Sequence, residues 1–315
     1  MVALPLAHVS WAIADNDRRK ACDAFFMDVF GAQSVFEMLL TPEMEASGFD
    51  REERLMVIGD TMIIPIAPAG PGEKDGSPIG GMLRKNALPN RWIGLALRVA
   101  DLSAADAWLT AKGFRLHYDP GMESHYFLIS PRQALGVRLE FMTGDLPRDP
   151  RVKADWTAQP WRDEHPLGIE GLQSIGVSIP SLDDARALFG DRLEWPELSQ
   201  RRIDAEDADC LSFLMGDTVI EAMQPASENS PLAGHSRDVQ GIYCLTFKTR
   251  SAELAARYLR GKGLDLVGDV DGRFAIAPEQ AFDRLIYFTE QSVDGYPPLG
   301  SKLTEPAQFP AAILI

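Results

Sequence analysis

The feature that most restricts how this chain can fold is an internal repeat. Four short markers recur in the same order: Gly59-Asp60-Thr61 with Gly216-Asp217-Thr218, Ser77-Pro78-Ile79 with Ser230-Pro231-Leu232, Lys112-Gly113 with Lys262-Gly263, and Gln133-Ala134 with Gln280-Ala281. The offsets between the copies are 157, 153, 150 and 147 residues. Such a slow drift is expected of a duplication with small insertions and deletions, so the sequence predicts two copies of one fold.

Each copy divides again into two similar halves. The first half opens with an alternating stretch from His8 to Ile13, which predicts a strand, and continues with apolar residues at helical spacing from Arg18 to Phe30. Gly31 follows, where a glycine commonly ends a helix. The other halves begin near Ile93, Leu172 and Ile242, with helices predicted at 104–112, 182–189 and 252–262.

The predicted order is therefore one strand, one helix and about three strands, repeated four times. A single unit of this kind has a half-apolar sheet that it cannot bury alone, so two units must pair. The predicted fold class is α+β, with four βαβββ modules paired into two domains, each a curved sheet around a cavity. Residues 1–144 would form the N-terminal domain and residues 169–315 the C-terminal domain. Residues 145–168, rich in proline, tryptophan and mixed charge, would form a linker.

Charge and composition restrict the partners and the compartment. The chain has 315 residues and a net charge of -15, which argues against nucleic acid or an anionic membrane surface as a partner and leaves a small molecule. No apolar run is long enough to span a membrane, and the N-terminus does not read as a secretory signal. Cys22, Cys210 and Cys244 are too few and too widely spaced for a disulfide framework, so we expect a cytoplasmic protein.

Two motifs resemble those of a known superfamily. Gly216 to Glu221 reads GDTVIE and is followed by SPLA at Ser230 to Ala233, and Ser130 to Glu140 reads SPRQALGVRLE. Together with the paired βαβββ units, they resemble the vicinal oxygen chelate (glyoxalase-like) superfamily, and the local likeness is closest to its methylmalonyl-CoA epimerase type. The superfamily also includes glyoxalase I, extradiol dioxygenases and bleomycin-resistance proteins. The resemblance covers the chain except for the linker and the tail after Glu290.

The resemblance implies a divalent metal ion held at four positions, two on opening strands and two on closing strands. The corresponding residues are His8, Ile64, Gly94 and Glu140 in the N-terminal copy, and Ser174, Glu221, Cys244 and Tyr287 in the C-terminal copy. The site is therefore expected in the N-terminal copy, with His8 and Glu140 as catalytic and metal-binding residues, and the C-terminal site is expected to be degenerate. Imidazole and carboxylate ligands suit Zn, Fe, Mn, Co or Ni, and a metal-free site is the alternative.

Two protein ligands hold a metal ion poorly, so a third donor is needed. His125 is the best candidate, because a hairpin turn centred near Gln133 would place residue 125 opposite Glu140.

Other polar residues are assigned by their position along the strands. Ser10, Arg98 and Arg138 are predicted to face inward and contact substrate, with an ion pair between Glu140 and either arginine as the alternative. Two further histidines, His165 and His235, fall in the linker and in a connecting loop and are predicted to lie at the surface.

Two classes of function remain open from the sequence. The first is a metal-dependent lyase, isomerase or epimerase that acts on a small oxygen-rich metabolite, with a ring-cleaving extradiol dioxygenase as a weaker version. The second is a metal-free binding protein of the bleomycin-resistance type. Because the two copies can each supply a complete cavity, a monomer or a homodimer is expected.

Overall fold

The strands form two separate sheets of equal size. The computed structural model describes residues 6–46, 49–69, 91–119, 122–238 and 241–296, so the repeat marker at 77–79 lies outside the described residues. The N-terminal sheet contains β1 (Leu6–Ala12), β2 (Gln33–Met38), β3 (Arg51–Ile58), β4 (Thr61–Pro68), β5 (Arg91–Arg98), β6 (Leu116–His117), β7 (Tyr126–Ile129) and β8 (Arg138–Met142). The C-terminal sheet contains β9 (Ile169–Ser178), β10 (Glu197–Ile203), β11 (Ala208–Met215), β12 (Thr218–Pro225), β13 (Gly241–Thr249), β14 (Leu266–Gly268), β15 (Arg273–Ile276) and β16 (Leu285–Thr289).

A helix follows each of the four opening strands, as the sequence predicts, and the structure describes three further helices. They are α1 (Asn16–Phe30), α2 (Pro42–Ala46), α3 (Leu102–Ala111), α4 (Gln159–Asp163), α5 (Leu182–Ala185), which continues as π-helical turns over Arg186–Arg192, α6 (Pro231–Asp238) and α7 (Ala252–Gly261). Short 3₁₀ turns lie at Pro131–Gln133, Pro150–Val152, Asp204–Glu206 and Pro278–Gln280. The side chain of Asp15 caps the first turn of α1, and Gly31 ends the helix with a left-handed φ of 62°, which confirms the predicted glycine stop.

The two sheets have the same strand order, which confirms the α+β fold of four paired βαβββ modules. The orders are β2-β3-β4-β1-β5-β8-β7-β6 and β10-β11-β12-β9-β13-β16-β15-β14. In each sheet the two opening strands pair antiparallel at the centre, β1 with β5 and β9 with β13. Each closing strand runs parallel to the opening strand of its own module.

One continuous hydrophobic core covers both sheets. Phe26 and Phe30 of α1 pack in it with Trp11 of β1, and residues of the C-terminal sheet such as Phe247 and Phe288 belong to the same core. The ring of Phe30 lies 6.0 Å from that of Phe247 and 5.7 Å from that of Phe288, measured between centroids. The two sheets are therefore joined by aromatic packing as well as by the chain.

The predicted linker is packed against the N-terminal sheet. The buried guanidinium of Arg151 donates to the carbonyl oxygens of Ala7 at 2.7 Å and Asp60 at 3.1 Å. The indole of Trp161 donates to the carbonyl of Gly31 at 3.1 Å. The domain boundaries at residues 144 and 169 stay a prediction. None of the described helices is long and apolar enough to cross a membrane.

We expect Phe30→Ala to lower the free energy of unfolding by about 3–5 kcal/mol, because it leaves a cavity where both sheets meet. Denaturant unfolding measures the loss, and a single transition should persist because the core is shared. Met27→Ala, on the same helix with the side chain of Met27 39% exposed, is the control and should cost far less. Equal losses in the two variants would contradict this account of the core.

Candidate functional site

His8 and Glu140 lie in one cross-strand row of the N-terminal sheet. His8 pairs with Ala96 across β1 and β5, and Ala96 pairs with Glu140 across β5 and β8. Gly94, the position expected from the resemblance, pairs with Ser10 and so lies in the neighbouring row. Gly94 therefore lies two residues along β5 from the residue between His8 and Glu140, which is Ala96.

The two side chains share a small cavity. It has a volume of about 20 Å³ and is lined by His8, Ser10, Ile66, Ile93, Gly94, Leu95, Arg138 and Glu140. A void of this volume holds about one water molecule. The predicted convergence of an imidazole and a carboxylate is thus present in the described structure, in a space far smaller than a metabolite.

His8 is a neutral imidazole with a free ring nitrogen. Its side chain is buried, and its Nδ1 has no hydrogen-bond partner. Burial, followed by the positive charges of Arg151, Arg98 and Arg138, lowers the pKa of His8 to about 3. A neutral His8 at physiological pH can accept or donate a hydrogen bond to whatever occupies the cavity.

Glu140 titrates in the range where a carboxyl group exchanges protons readily. Burial raises the pKa of Glu140 to about 7, while the charge of Arg138 lowers it and that of Glu53 raises it further. A carboxyl group with a pKa near the working pH is suited to act as a general acid or base.

The donors present do not fit a metal ion held by three protein ligands. His125 is exposed in a turn, where its Nδ1 lies 3.0 Å from Ser124 Oγ. The residue opposite Glu140 is Leu128, so the predicted register was wrong by three residues. Across the ranges that the structure describes, no group of three His, Cys, Asp or Glu side chains could hold a metal ion.

The predicted substrate contacts differ in outcome. Ser10 and Arg138 line the cavity beside Glu140. Arg98 does not line it, because its guanidinium is held by Asp149 at 2.7 Å and by Asp145 at 3.1 Å. Arg98 was predicted to face inward and contact substrate. Its guanidinium instead anchors the segment that follows β8.

The corresponding row of the C-terminal sheet contains Ser174, Thr246 and Tyr287. Ser174 pairs with Thr246 across β9 and β13, and Thr246 pairs with Tyr287 across β13 and β16. Cys244 lies two residues from Thr246 along β13, as Gly94 lies two residues from Ala96 along β5, and belongs with Tyr287 to a small apolar cluster. Burial raises the pKa of Cys244 to about 12, so its side chain is a protonated, buried thiol in this structure.

This row borders a much larger cavity. Its volume is about 320 Å³, and its lining consists of Gln173, Ser174, Ser199, Arg201, Glu221, Thr246, Arg273, Thr289, Gln291, Ser292, Val293 and Asp294. Nearly all of these side chains are polar. The expectation that the C-terminal site is degenerate stays a prediction, and this sheet contains the larger of the two cavities described here.

Glu221 is the buried charge at the centre of this cavity. Its Oε2 accepts a hydrogen bond of 2.7 Å from Ser174, its Oε1 accepts one from Arg201, and Arg273 lies 3.6 Å away. Burial alone would raise the pKa of Glu221, but the two arginine charges and the hydrogen bonds outweigh burial and lower it. Glu221 is therefore an ionised, fully paired carboxylate.

Arg273 and Thr246 complete the lining. The guanidinium of Arg273 stacks over the Tyr287 ring at 3.9 Å and also pairs with the carboxylate of Glu206. The hydroxyl of Thr246 is buried and has no hydrogen-bond partner. Sequence reasoning did not identify Arg201 or Arg273. A buried Glu221 requires a cationic partner, and that requirement could have pointed to an arginine nearby.

Two solved structures resemble this chain over nearly its whole length. A triple mutant of 4-hydroxymandelate synthase from Streptomyces coelicolor covers 96% of this chain and 99% of its own at 13% identity, with a TM-score of 0.63. The 2,3-dioxygenase LapB from a Pseudomonas species covers 95% and 97% at 13% identity, with a TM-score of 0.57. Methylmalonyl-CoA epimerase from Mycobacterium tuberculosis covers 38% of this chain and 87% of its own at 22% identity, with a TM-score of 0.36.

No protein family model matches the chain, and no curated protein sequence matches it. The two structures that cover nearly the whole chain match it across both of its eight-stranded sheets. These comparisons establish the fold of the chain. The chain has the fold of these two structures, which is the fold expected from its resemblance to the vicinal oxygen chelate superfamily. The fold is in tandem form, in which four modules on one chain make two paired-module sheets.

We expect the difference in unfolding free energy between the wild type and Glu140→Gln to decrease from about pH 5 to about pH 8. A carboxyl whose pKa is raised by folding to about 7 binds more protons when folded, so its contribution is present at low pH and is lost as pH rises through 7. Denaturant unfolding at several pH values measures this. Glu123→Gln, at an exposed position, is the control, and an equally flat difference in both variants would contradict the assignment.

Proposed function

We propose that this protein binds a small oxygen-rich molecule in the cavity of its C-terminal sheet. The observation that supports the proposal is the volume of about 320 Å³, against about 20 Å³ beside His8 and Glu140. Pockets for small molecules have volumes of roughly 300–1,000 Å³. The proposed function is therefore that of a binding protein. Its site lies in the C-terminal sheet, whereas the sequence predicted a site at His8 and Glu140 in the N-terminal copy.

The chemistry of the lining favours a ligand that carries several hydroxyl or carbonyl oxygens. Hydroxyl groups of Ser174, Ser199 and Thr246 and the amide of Gln173 offer both donors and acceptors. The guanidinium groups of Arg201 and Arg273 are offset by the carboxylates of Glu221 and Asp294, so the cavity has little excess charge with which to select an ion. The buried hydroxyl of Thr246 has no hydrogen-bond partner in the protein, so a hydrogen bond to a ligand oxygen would satisfy it.

Arg201 is placed to reach both Glu221 and a ligand. Its side chain lines the cavity and is 43% exposed, although its guanidinium contacts the buried carboxylate of Glu221. A guanidinium has five N–H donors, and the bond to Glu221 leaves the others for ligand oxygens. The hydroxyl of Ser174 donates to the second oxygen of Glu221. This bond holds the carboxylate, and with it Arg201, in place before a ligand binds.

The metal ion that the fold family implies does not fit the donors of this cavity. Among the described lining residues the acidic side chains are Glu221 and Asp294, and Glu221 is already occupied by arginines. Neither a histidine nor a cysteine is in the lining. The residues thus favour metal-free binding over a dioxygenase-type iron site.

A second candidate is a proton-transfer enzyme of the isomerase or epimerase type at His8 and Glu140. The partnerless Nδ1 of His8 and the pKa of about 7 for Glu140 favour it, because a carbon acid next to a carbonyl needs a base near neutrality. In this reading Glu140 would accept a proton and return it, and His8 would donate a hydrogen bond to the developing oxyanion.

We expect Thr246→Val and Arg201→Gln to weaken ligand binding by at least about tenfold, because the first removes a hydroxyl group and the second removes the guanidinium donors available to the ligand. Calorimetric titration with glycerol, glucose, glycerate and pyruvate as probes measures this. Glu140→Gln is the matched control and should bind like the wild type. The proposal is contradicted if no probe binds, or if Glu140→Gln alone abolishes binding.

We expect less than one equivalent of Zn, Fe, Mn, Co or Ni in protein purified without chelator, because the described residues that line the N-terminal cavity include only two suitable donors. Elemental analysis by mass spectrometry measures the content. A full equivalent of one of these metals that disappears in both His8→Ala and Glu140→Ala would overturn this expectation and favour the metal-dependent enzyme.

A further inference from the structure

A segment without regular secondary structure follows β16 and borders the cavity of the C-terminal sheet. We call this segment, residues 291–294, the strap. All of its residues line the cavity: Gln291, Ser292, Val293 and Asp294. Three of them, Gln291, Ser292 and Asp294, are also exposed to solvent. The strap is therefore a part of the cavity wall that has water on its other side.

Gln173 is the extra residue of a β-bulge in β9. Leu172 pairs with Phe247 and Ser174 pairs with Thr246, so three successive residues of β9 lie opposite two of β13. A bulge of this kind turns a side chain out of the alternation of a regular strand, and bulges are common beside functional sites. Gln173 is buried and lines the same cavity as its neighbour Ser174, which a regular strand would not allow.

The side-chain amide of Gln173 binds the backbone of the strap at two points. Its Nε2 donates to the carbonyl oxygen of Gln291 at 3.0 Å, and its Oε1 accepts from the backbone N–H of Val293 at 3.0 Å. Gln173 is 2% exposed, so water competes little for either bond. The amide thus takes the place of a neighbouring strand for the middle of the strap.

Other hydrogen bonds hold the two ends of the strap. The hydroxyl of Thr289 accepts from the N–H of Gln291 at 3.0 Å and donates to the carbonyl of Gly272 at 2.8 Å. The N–H of Tyr296 donates to the carbonyl of Val293 at 3.0 Å. These bonds leave the middle of the strap to Gln173, which ties it to a strand 118 to 120 residues earlier in the chain.

The N-terminal sheet has the same bulge without the same amide. The register of β1 shifts between Leu6 and His8, so Ala7 is its extra residue. Alanine has no polar side chain, and the segment that follows β8 is instead held by Arg151, which donates to the carbonyl of Ala7 at 2.7 Å. The link between a bulged glutamine and a strap is thus a feature of the sheet with the larger cavity.

We propose that Gln173 is a positioning residue that holds the strap as the outer wall of the C-terminal cavity, and that a ligand enters and leaves when the two bonds between Gln173 and the strap break. The proposal rests on the binding function proposed for this cavity. Because the strap has neither a helix nor a strand of its own, it can open without disturbing the sheet. Gln173 then sets how fast a small oxygen-rich molecule exchanges with solvent.

Alkylation of a thiol introduced into the cavity tests the proposal without a ligand. Thr246→Cys places this thiol at a lining position that is 2% exposed, and iodoacetamide is the probe. The native thiols are buried and give a slow background: Cys22, Cys210 and Cys244. His165 and His235, both predicted at the surface, are partly buried, and neither is among the lining residues.

Adding Gln173→Met to Thr246→Cys should raise the alkylation rate at least about tenfold, because both bonds to the strap are lost while the length of the side chain is kept. Gln133→Met is the matched control. The amide of Gln133 makes the same pair of backbone bonds, both at 2.8 Å and both to Arg115, but it does not line the cavity. This control should leave the alkylation rate unchanged.

Val293→Pro breaks the link from the side of the strap, because proline has no N–H to donate to Gln173. It should raise the alkylation rate of the Thr246→Cys protein in the same direction, and it decides the question if Gln173→Met does not fold. Equal rates with Gln173→Met and Gln133→Met, or an unchanged rate with Val293→Pro, overturn the proposal.

Ligand exchange in the chain without the introduced thiol measures the consequence for binding. For each of glycerol, glucose, glycerate and pyruvate that binds, Gln173→Met should raise the dissociation rate at least about tenfold, measured by NMR line shapes, and Gln133→Met should not. An unchanged dissociation rate in Gln173→Met overturns the proposal. If none of the four probes binds, the function proposed for the cavity fails, while the alkylation rates still decide whether Gln173 holds the strap closed.

Discussion

The antiparallel pairing of the opening strands is the interaction on which both candidate sites depend. Because β1 pairs with β5 and β9 with β13, and because each closing strand runs parallel to its own opening strand, side chains from separate modules fall into shared rows. One row contains His8, Ala96 and Glu140, and its counterpart contains Ser174, Thr246 and Tyr287. The backbone thus fixes where the chemistry can occur, and the side chains in each row decide which chemistry it is.

The two sheets have diverged in how they treat a buried carboxylate. The charge of Arg138 does not fully offset the effect of burial on the pKa of Glu140, so this carboxyl group is protonated over part of the physiological pH range. Glu221 is neutralised by Arg201 and Arg273 and stays ionised. The first arrangement suits proton transfer in a space of one water molecule, whereas the second stabilises a polar cavity of ligand size. Arginine pairing at Glu221 occupies the oxygens that a metal ion would need, which is why the larger cavity favours binding without a metal.

Much of the fold could be predicted, because the repeat and the alternation of apolar residues determine the module and its pairing. The convergence of His8 and Glu140 was also predictable, since the resemblance places one on an opening strand and the other on a closing strand of the same paired sheet. The register of His125 was not, because the 3₁₀ turn at Pro131–Gln133 and the left-handed Leu135 lengthen the hairpin in a way that residue spacing does not show. The volumes of the two cavities and the contribution of Arg273 depend on side-chain packing across strands that are distant in sequence.

A crystal structure of the full chain soaked with the tightest-binding of the four probes tests the central claim most directly. The account predicts electron density between Glu221 and Thr246 of the C-terminal sheet, with a ligand oxygen within hydrogen-bond distance of the Thr246 hydroxyl. Density beside His8 and Glu140, with the C-terminal cavity containing only solvent, would contradict it.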